Sequence, residues 1–167
     1  MNYSVGEGLT ILQTIVECFH NMNDNTIKLD RNFFMGGNAT FTVDNGKGTH
    51  YTFKIRQPKK DNPRFTGRAP HFVSLLTGPD NVNSYSYLGM ITAREGFKLT
   101  KASKMNDASV PVKVLRWVLN LVATNGSMPA GYKVHHEGKC GCCGRALTVP
   151  ESIERGIGPE CWAKLNG

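Results

Sequence analysis

Residues 39–57 read A-T-F-T-V-D-N-G-K-G-T-H-Y-T-F-K-I-R-Q. Residues alternate in character on both sides of Asn45-Gly46-Lys47-Gly48, which predicts two strands joined by a tight turn. Tyr51, Phe53 and Ile55 fall on one face of the second strand, and Thr52, Lys54 and Arg56 on the other. Such a hairpin buries one face and leaves the other polar and basic.

Working outward, H-F-V-S-L-L at 71–76 and Y-S-Y-L-G-M-I at 85–91 read as two further strands, and F-K-L-T at 97–100 as a short fifth. Leu12, Ile15, Val16, Phe19 and Met22 follow helical spacing, so residues 7–22 predict a helix that ends at Asn23-Asp24-Asn25. Cys18 lies near that stripe and reads as a buried free thiol. Pro111 opens a second helix with Val114, Leu115, Val118, Leu119 and Val122 on its apolar side. The expected body, residues 1–127, is α+β: a helix, three to five mostly antiparallel strands and a helix, with the helices on one sheet face. Tyr85 and Tyr87 alternate onto one face, as core or as a stacking platform.

The 167-residue chain carries a net charge of +7, unevenly spread. Residues 31–130 hold fourteen bases and five acids, whereas residues 1–30 are net −3 and residues 131–167 only +1. The positive excess therefore belongs to the body, and a polyanion would meet it there. The densest segment is K-I-R-Q-P-K-K-D-N-P-R-F-T-G-R at 54–68, with six bases, one acid and Phe65 among them. Lys54, Arg56, Lys59, Lys60, Arg64 and Arg68 are candidate phosphate contacts, and Phe65 a candidate for base stacking. Arg94, Lys98 and Lys101, with Lys104, form a second basic run. The competing reading is a solvated loop that keeps a basic protein in solution.

The tail, expected at 132–167, concentrates Cys140, Cys142, Cys143 and Cys161 just after His135 and His136. Cys140 and Cys143 form a C-x2-C pair, with Gly141 and Gly144 supplying the turn a metal knuckle needs. Cys161 follows Cys143 after seventeen residues and stands in the first turn of a short helix opened by Pro159, where free N–H groups favour a thiolate. These three are the expected ligands of one structural zinc ion. His136 is preferred as the fourth; His135 competes, and Cys142, Ser152 or water stay open. Thr148 and Glu151 suggest a capping box for a helix over the metal that Gly156 would end. A tail of this size cannot build a core unaided, which is a second argument for a metal.

The stretch C-x2-C-G-R-A-L-T-V-P-E-S-I-E-R-G-I-G-P-E-C resembles a small zinc-ribbon or treble-clef-like domain of unknown function, found at the C-terminus of phage and mobile-element proteins. The matching positions are Cys140, Cys143, Gly144, Arg145, Leu147, Thr148, Ser152, Gly156, Gly158, Pro159 and Cys161; Cys142 departs from the pattern. The resemblance implies zinc and a phage-like origin, and no activity.

No apolar run approaches the roughly 18 residues of a membrane span. Met1-Asn2-Tyr3-Ser4 lacks a basic region followed by an apolar run, so a reducing cytoplasm, of a bacterial host if phage-encoded, is expected and disulfides are not. G-x-S-x-G, H-E-x-x-H and Walker motifs are absent, as is the H-x-E that zinc deaminases place well upstream of their cysteines, which argues against an enzyme. The sequence thus favours a non-enzymatic protein that binds nucleic acid through a basic sheet face and loop. The alternative is a phage inhibitor of a host defence or nucleic-acid-processing complex, of anti-CRISPR or anti-restriction type, acting by protein contact.

Overall fold

The computed structural model describes residues 27–59, 61–65 and 69–167. The expected helix at 7–22, with Cys18, and the candidates Lys60 and Arg68 lie outside the described residues.

Six strands form one antiparallel sheet: β1 (Asn38–Asp44), β2 (His50–Arg56), β3 (His71–Leu76), β4 (Tyr85–Thr92), β5 (Gly96–Lys98) and β6 (Lys133–His136). Their order is β5-β4-β3-β2-β1-β6, a meander to which the last strand is added at the β1 edge. The predicted hairpin forms in register, Phe41 opposite Phe53 and Thr42 opposite Thr52. A register shift between Val73 and Ser74 bends the β3–β4 pair.

Four helices complete the described part: α1 (Arg31–Phe34), α2 (Val110–Ala123), α3 (Pro150–Arg155) and α4 (Pro159–Asn166). The fold is α+β. α2 buries Val112, Leu115, Val118 and Val122, so the apolar stripe is centred slightly N-terminal to the expected one. Its C-terminal turn lines a cavity with Ile91 and Phe97, and the Arg116 guanidinium lies 5.8 Å from the Phe97 ring centre. α1 reaches the same sheet face through Phe34, whose ring is 4.8 Å from that of Phe41. The face carrying Ala39, Phe41, Val43, Phe53, Ile55, Val73 and Leu75 is therefore the core. Among the described residues no helix covers the opposite face. None is long and apolar enough to cross a membrane.

The sequence expectation of a body ending at 127 and a separate tail from 132 requires correction. β6 belongs to the body's sheet, pairing Val134 with Val43 and His136 with Phe41. Val134, Cys140 and Ile157 share one buried cluster with Phe33, Phe53 and Leu115. The reason is a docking contact made by Phe33, which is fully buried. A Cβ on Gly141 would stand 2.6 Å from the Phe33 carbonyl oxygen, and one on Gly156 would stand 2.5 Å from its ring. Both tail glycines thus permit the tail backbone to close around this ring.

Phe33→Ala would leave a cavity at that junction, and a loss of about 3–5 kcal/mol of stability is expected. Deleting residues 132–167 would strip β1 of β6, one of its two partners, and expose Phe33 and Phe41. Thermal unfolding of the truncated chain is expected to lose its cooperativity. A truncated chain that melts cooperatively at the temperature of the intact protein would show that the body folds independently.

Candidate metal centre and open sheet face

The knuckle begins where β6 ends. Lys139 bridges Ala146, the Cys140 N–H donates to the Arg145 carbonyl at 2.8 Å, and the Gly144 N–H donates to the Cys140 carbonyl at 2.9 Å. Gly144 adopts φ +75°, as the turn requires, whereas Gly141 does not take a positive φ. Gly141 is needed for its lack of a side chain instead, because Phe33 lies against it. The capping box is also not formed: α3 has Val149 at its N-cap with no side-chain cap, although Gly156 ends it at φ +68° as expected. α4 starts at Pro159 and carries Cys161 in its first turn.

These turns bring the thiols of Cys140, Cys142 and Cys161 within 4.8 Å of one another, a group that could hold a metal ion. The Cys140 sulfur accepts a backbone N–H from Gly158 at 3.3 Å, and also those of Cys143 and Cys142. Burial pushes the Cys140 thiol up, but these N–H groups outweigh it and bring it down to about 7. Burial, and then the charges at Cys140 and Cys143, push Cys142 up to about 11. Burial, followed by the neighbouring thiols of Cys143 and Cys140, pushes Cys161 up to about 12. One thiolate is thus stabilised by the fold, and the others resist ionising beside it. A bound cation relieves that repulsion, so this donor set fits a thiophilic divalent metal.

Cys143 is exposed, and its side chain hydrogen-bonds those of both Cys140 and Cys161. His136 is not brought into this group. Its Nδ1 accepts the Gly138 N–H at 3.0 Å, and its Nε2 therefore donates to the Ile153 carbonyl at 2.9 Å. Both ring nitrogens are engaged, and burial holds its pKa below the usual histidine value. His136 instead ties β6 to α3. His135 points to the other face of the sheet, opposite Thr42. Cys142 is the thiol that the sequence reading set aside. Its carbonyl accepts from the Asn38 side chain at 2.5 Å, and a Cβ on Gly36 would meet its sulfur at 2.7 Å. Its direction is therefore set by the segment 36–38, far away in sequence, and knuckle spacing alone carried no signal of it.

The uncovered sheet face collects the basic candidates unevenly. Register places Arg56, Phe72, Met90 and Lys98 in one row, and Lys54, Ser74 and Tyr87 in the next. The Lys54 ammonium stands 3.6 Å from the centre of the Tyr85 ring and 3.5 Å from the carbonyls of Asn81 and Val82. Burial, and then the charge of Arg56, hold its pKa below the usual lysine value. Arg56 is half-buried and donates to the Ala39 carbonyl at 2.7 Å and to Thr40 Oγ1 at 2.9 Å, so it braces the sheet. Lys98 pairs with Glu95. The rings of Phe65, Phe72 and Tyr87 follow one another at 6.0 and 6.4 Å, which places Phe65 against this face. Lys59, Arg64, Arg94 and Lys101 are exposed in the connections around it.

Residues 134–166 match the model of a "Family of unknown function (DUF6011)". The match covers 33 of the 167 residues, from β6 through α4. No curated protein and no solved structure shows significant similarity to the chain.

The metal group makes its own prediction. Cys140→Ser and Cys161→Ser are each expected to abolish stoichiometric metal binding and to loosen the tail. His136→Gln is expected to retain the metal while lowering the melting temperature. Metal analysis of the purified variants checks both; loss of metal from the His136 variant, with Cys142→Ser unaffected, would restore His136 to the ligand set.

Proposed function

We propose that this protein is a non-enzymatic nucleic-acid-binding protein in which a structural zinc ion holds the C-terminal segment. The observation that carries the reading is the sheet face opposite the core, which no described helix covers and where Lys54 and Lys98 share a surface with the half-buried rings of Phe72, Tyr85 and Tyr87. Cations meet phosphates and rings meet bases, and a sheet face can present both together. The exposed Lys59 and Arg64 beside it widen the positive zone. Arg56 contributes charge but is committed to Ala39 and Thr40.

Zinc fits the thiol-rich donor set better than harder cations do. Cys140, Cys142, Cys143 and Cys161 are the four donors we assign to it. With four protein ligands the ion has no open position for a reacting water, so its role is to hold the fold. The resemblance of the tail supports a phage or mobile-element setting, and a reducing cytoplasm would keep its thiols available for a metal.

Binding to single- and double-stranded oligonucleotides across a salt series tests the reading. Replacing Lys59, Lys60, Arg64 and Arg68 by alanine is expected to weaken binding and to flatten its salt dependence. Each phosphate interaction removed should lower the log–log slope by about 0.7–0.9. The fold is expected to survive, because exposed charges contribute little to stability. Absence of any salt-dependent binding at about 100 mM salt would overturn the proposal. The same basic surface would then be assigned to an acidic groove on a host protein, the inhibitor reading, and partners that persist after nuclease treatment of a bacterial lysate would support it.

A further inference from the structure

On the face that no described helix covers, between β1, β2, β6 and the β3–β4 loop, lies a cup of about 200 Å3. Its lining includes Thr40, Thr42 and Thr52 from the sheet, Tyr85 and Asn81 from one side, and His135 and Glu137 from β6 and the residue after it. The Thr42 and Thr52 hydroxyls bond each other at 2.8 Å, and Thr40 Oγ1 accepts from Arg56 at 2.9 Å. The threonines are thus a fixed layer of groups able to donate and to accept.

We propose that this cup receives one unpaired base of a single-stranded nucleic acid and favours a base carrying an exocyclic amino group. The inference rests on the nucleic-acid reading above and adds the strandedness and the base class. Three properties of the cup carry it. Its volume is below the roughly 300–1,000 Å3 of pockets for drug-sized ligands and suits a single ring system. Its lining includes the Tyr85 ring, with the Lys54 ammonium 3.6 Å from the ring centre, a cationic and aromatic pair suited to a base. The lining also holds a carboxylate on an otherwise basic face. Glu137 has a side chain 33 % exposed, with the Lys139 ammonium 3.5 Å from its carboxylate.

A carboxylate there repels phosphate, so it does not serve the backbone. It accepts hydrogen bonds only, and the complementary groups on bases are amino groups, as on cytosine, adenine or guanine. Thymine and uracil present carbonyl oxygens at the corresponding position, and their one ring N–H on that edge is flanked by two such oxygens, which repel a carboxylate. A base stacked and paired in a duplex cannot enter a recess of this size, so the base must come from a single strand.

The test measures binding of the zinc-loaded full chain to oligomers of about a dozen nucleotides, as cytosine and thymine deoxyribo-oligomers and as cytosine and uracil ribo-oligomers. Cytosine oligomers are expected to bind about tenfold more tightly than their thymine or uracil counterparts. Glu137→Gln adds an amide donor and is expected to bring that ratio close to one, with metal content and melting temperature unchanged. Lys59→Ala is expected to weaken all oligomers equally and leave the ratio intact. A cytosine preference that is absent, or that survives Glu137→Gln, overturns the cup while leaving nucleic-acid binding in place. Failure of every oligomer to bind overturns both.

Discussion

The packing on which the rest of the molecule depends is that of the Phe33 ring, clasped between the metal knuckle and the end of α3. It is an edge-to-face neighbour of Phe34, at 5.3 Å, and lies 6.0 Å from the His136 ring. Two tail glycines close on it from the other side. Around this ring the backbone makes a polar frame: Asn38 N–H donates to the Gly141 carbonyl at 2.7 Å, and Gly141 N–H to the Gly156 carbonyl at 2.9 Å. An apolar ring supplies the burial and the frame fixes its direction, so the knuckle cannot shift without opening the core.

This junction explains why the thiols sit where they do. The knuckle turn points backbone N–H groups at the Cys140 sulfur, while Gly158 adds one from the start of α4. Desolvation and mutual repulsion hold the thiols of Cys142 and Cys161 in their protonated form. A divalent ion converts that conflict into coordination, and the energy of binding then becomes folding energy for the tail. Because the tail shares its core with the sheet, part of that energy reaches β1 through β6.

Strands β1 to β5 were legible because each alternates or is bounded by strong turn residues; Asn45-Gly46-Lys47-Gly48 fixed the hairpin almost to the residue. β6 was not, since K-V-H-H carries one apolar residue and is four residues long. Its pairing comes from β1, a non-local partner that no local pattern announces. α1 was hidden for the same reason: four residues are too few for a helical period, and the burial of Phe33 and Phe34 is decided by the tail. That the cysteines of the tail come together was legible from spacing, but which side chains join the group was not. His136 looked like a ligand because it stands near Cys140 in sequence; in space its ring is spent on Gly138 and Ile153.

The same short segment that delivers the cysteines also shapes the open face. β6 alternates Val134 and His136 inward with His135 outward, and Glu137 follows at the end of the strand. Part of the lining of the polar cup therefore belongs to the residues that enter the knuckle three positions later. Holding Cys140 in the metal group fixes the end of β6, and with it the position of Glu137 beside the Thr42–Thr52 pair. The packing of the knuckle and the lining of the recess are coupled through this four-residue strand, because its alternation sends His136 to the core face and His135 to the opposite one.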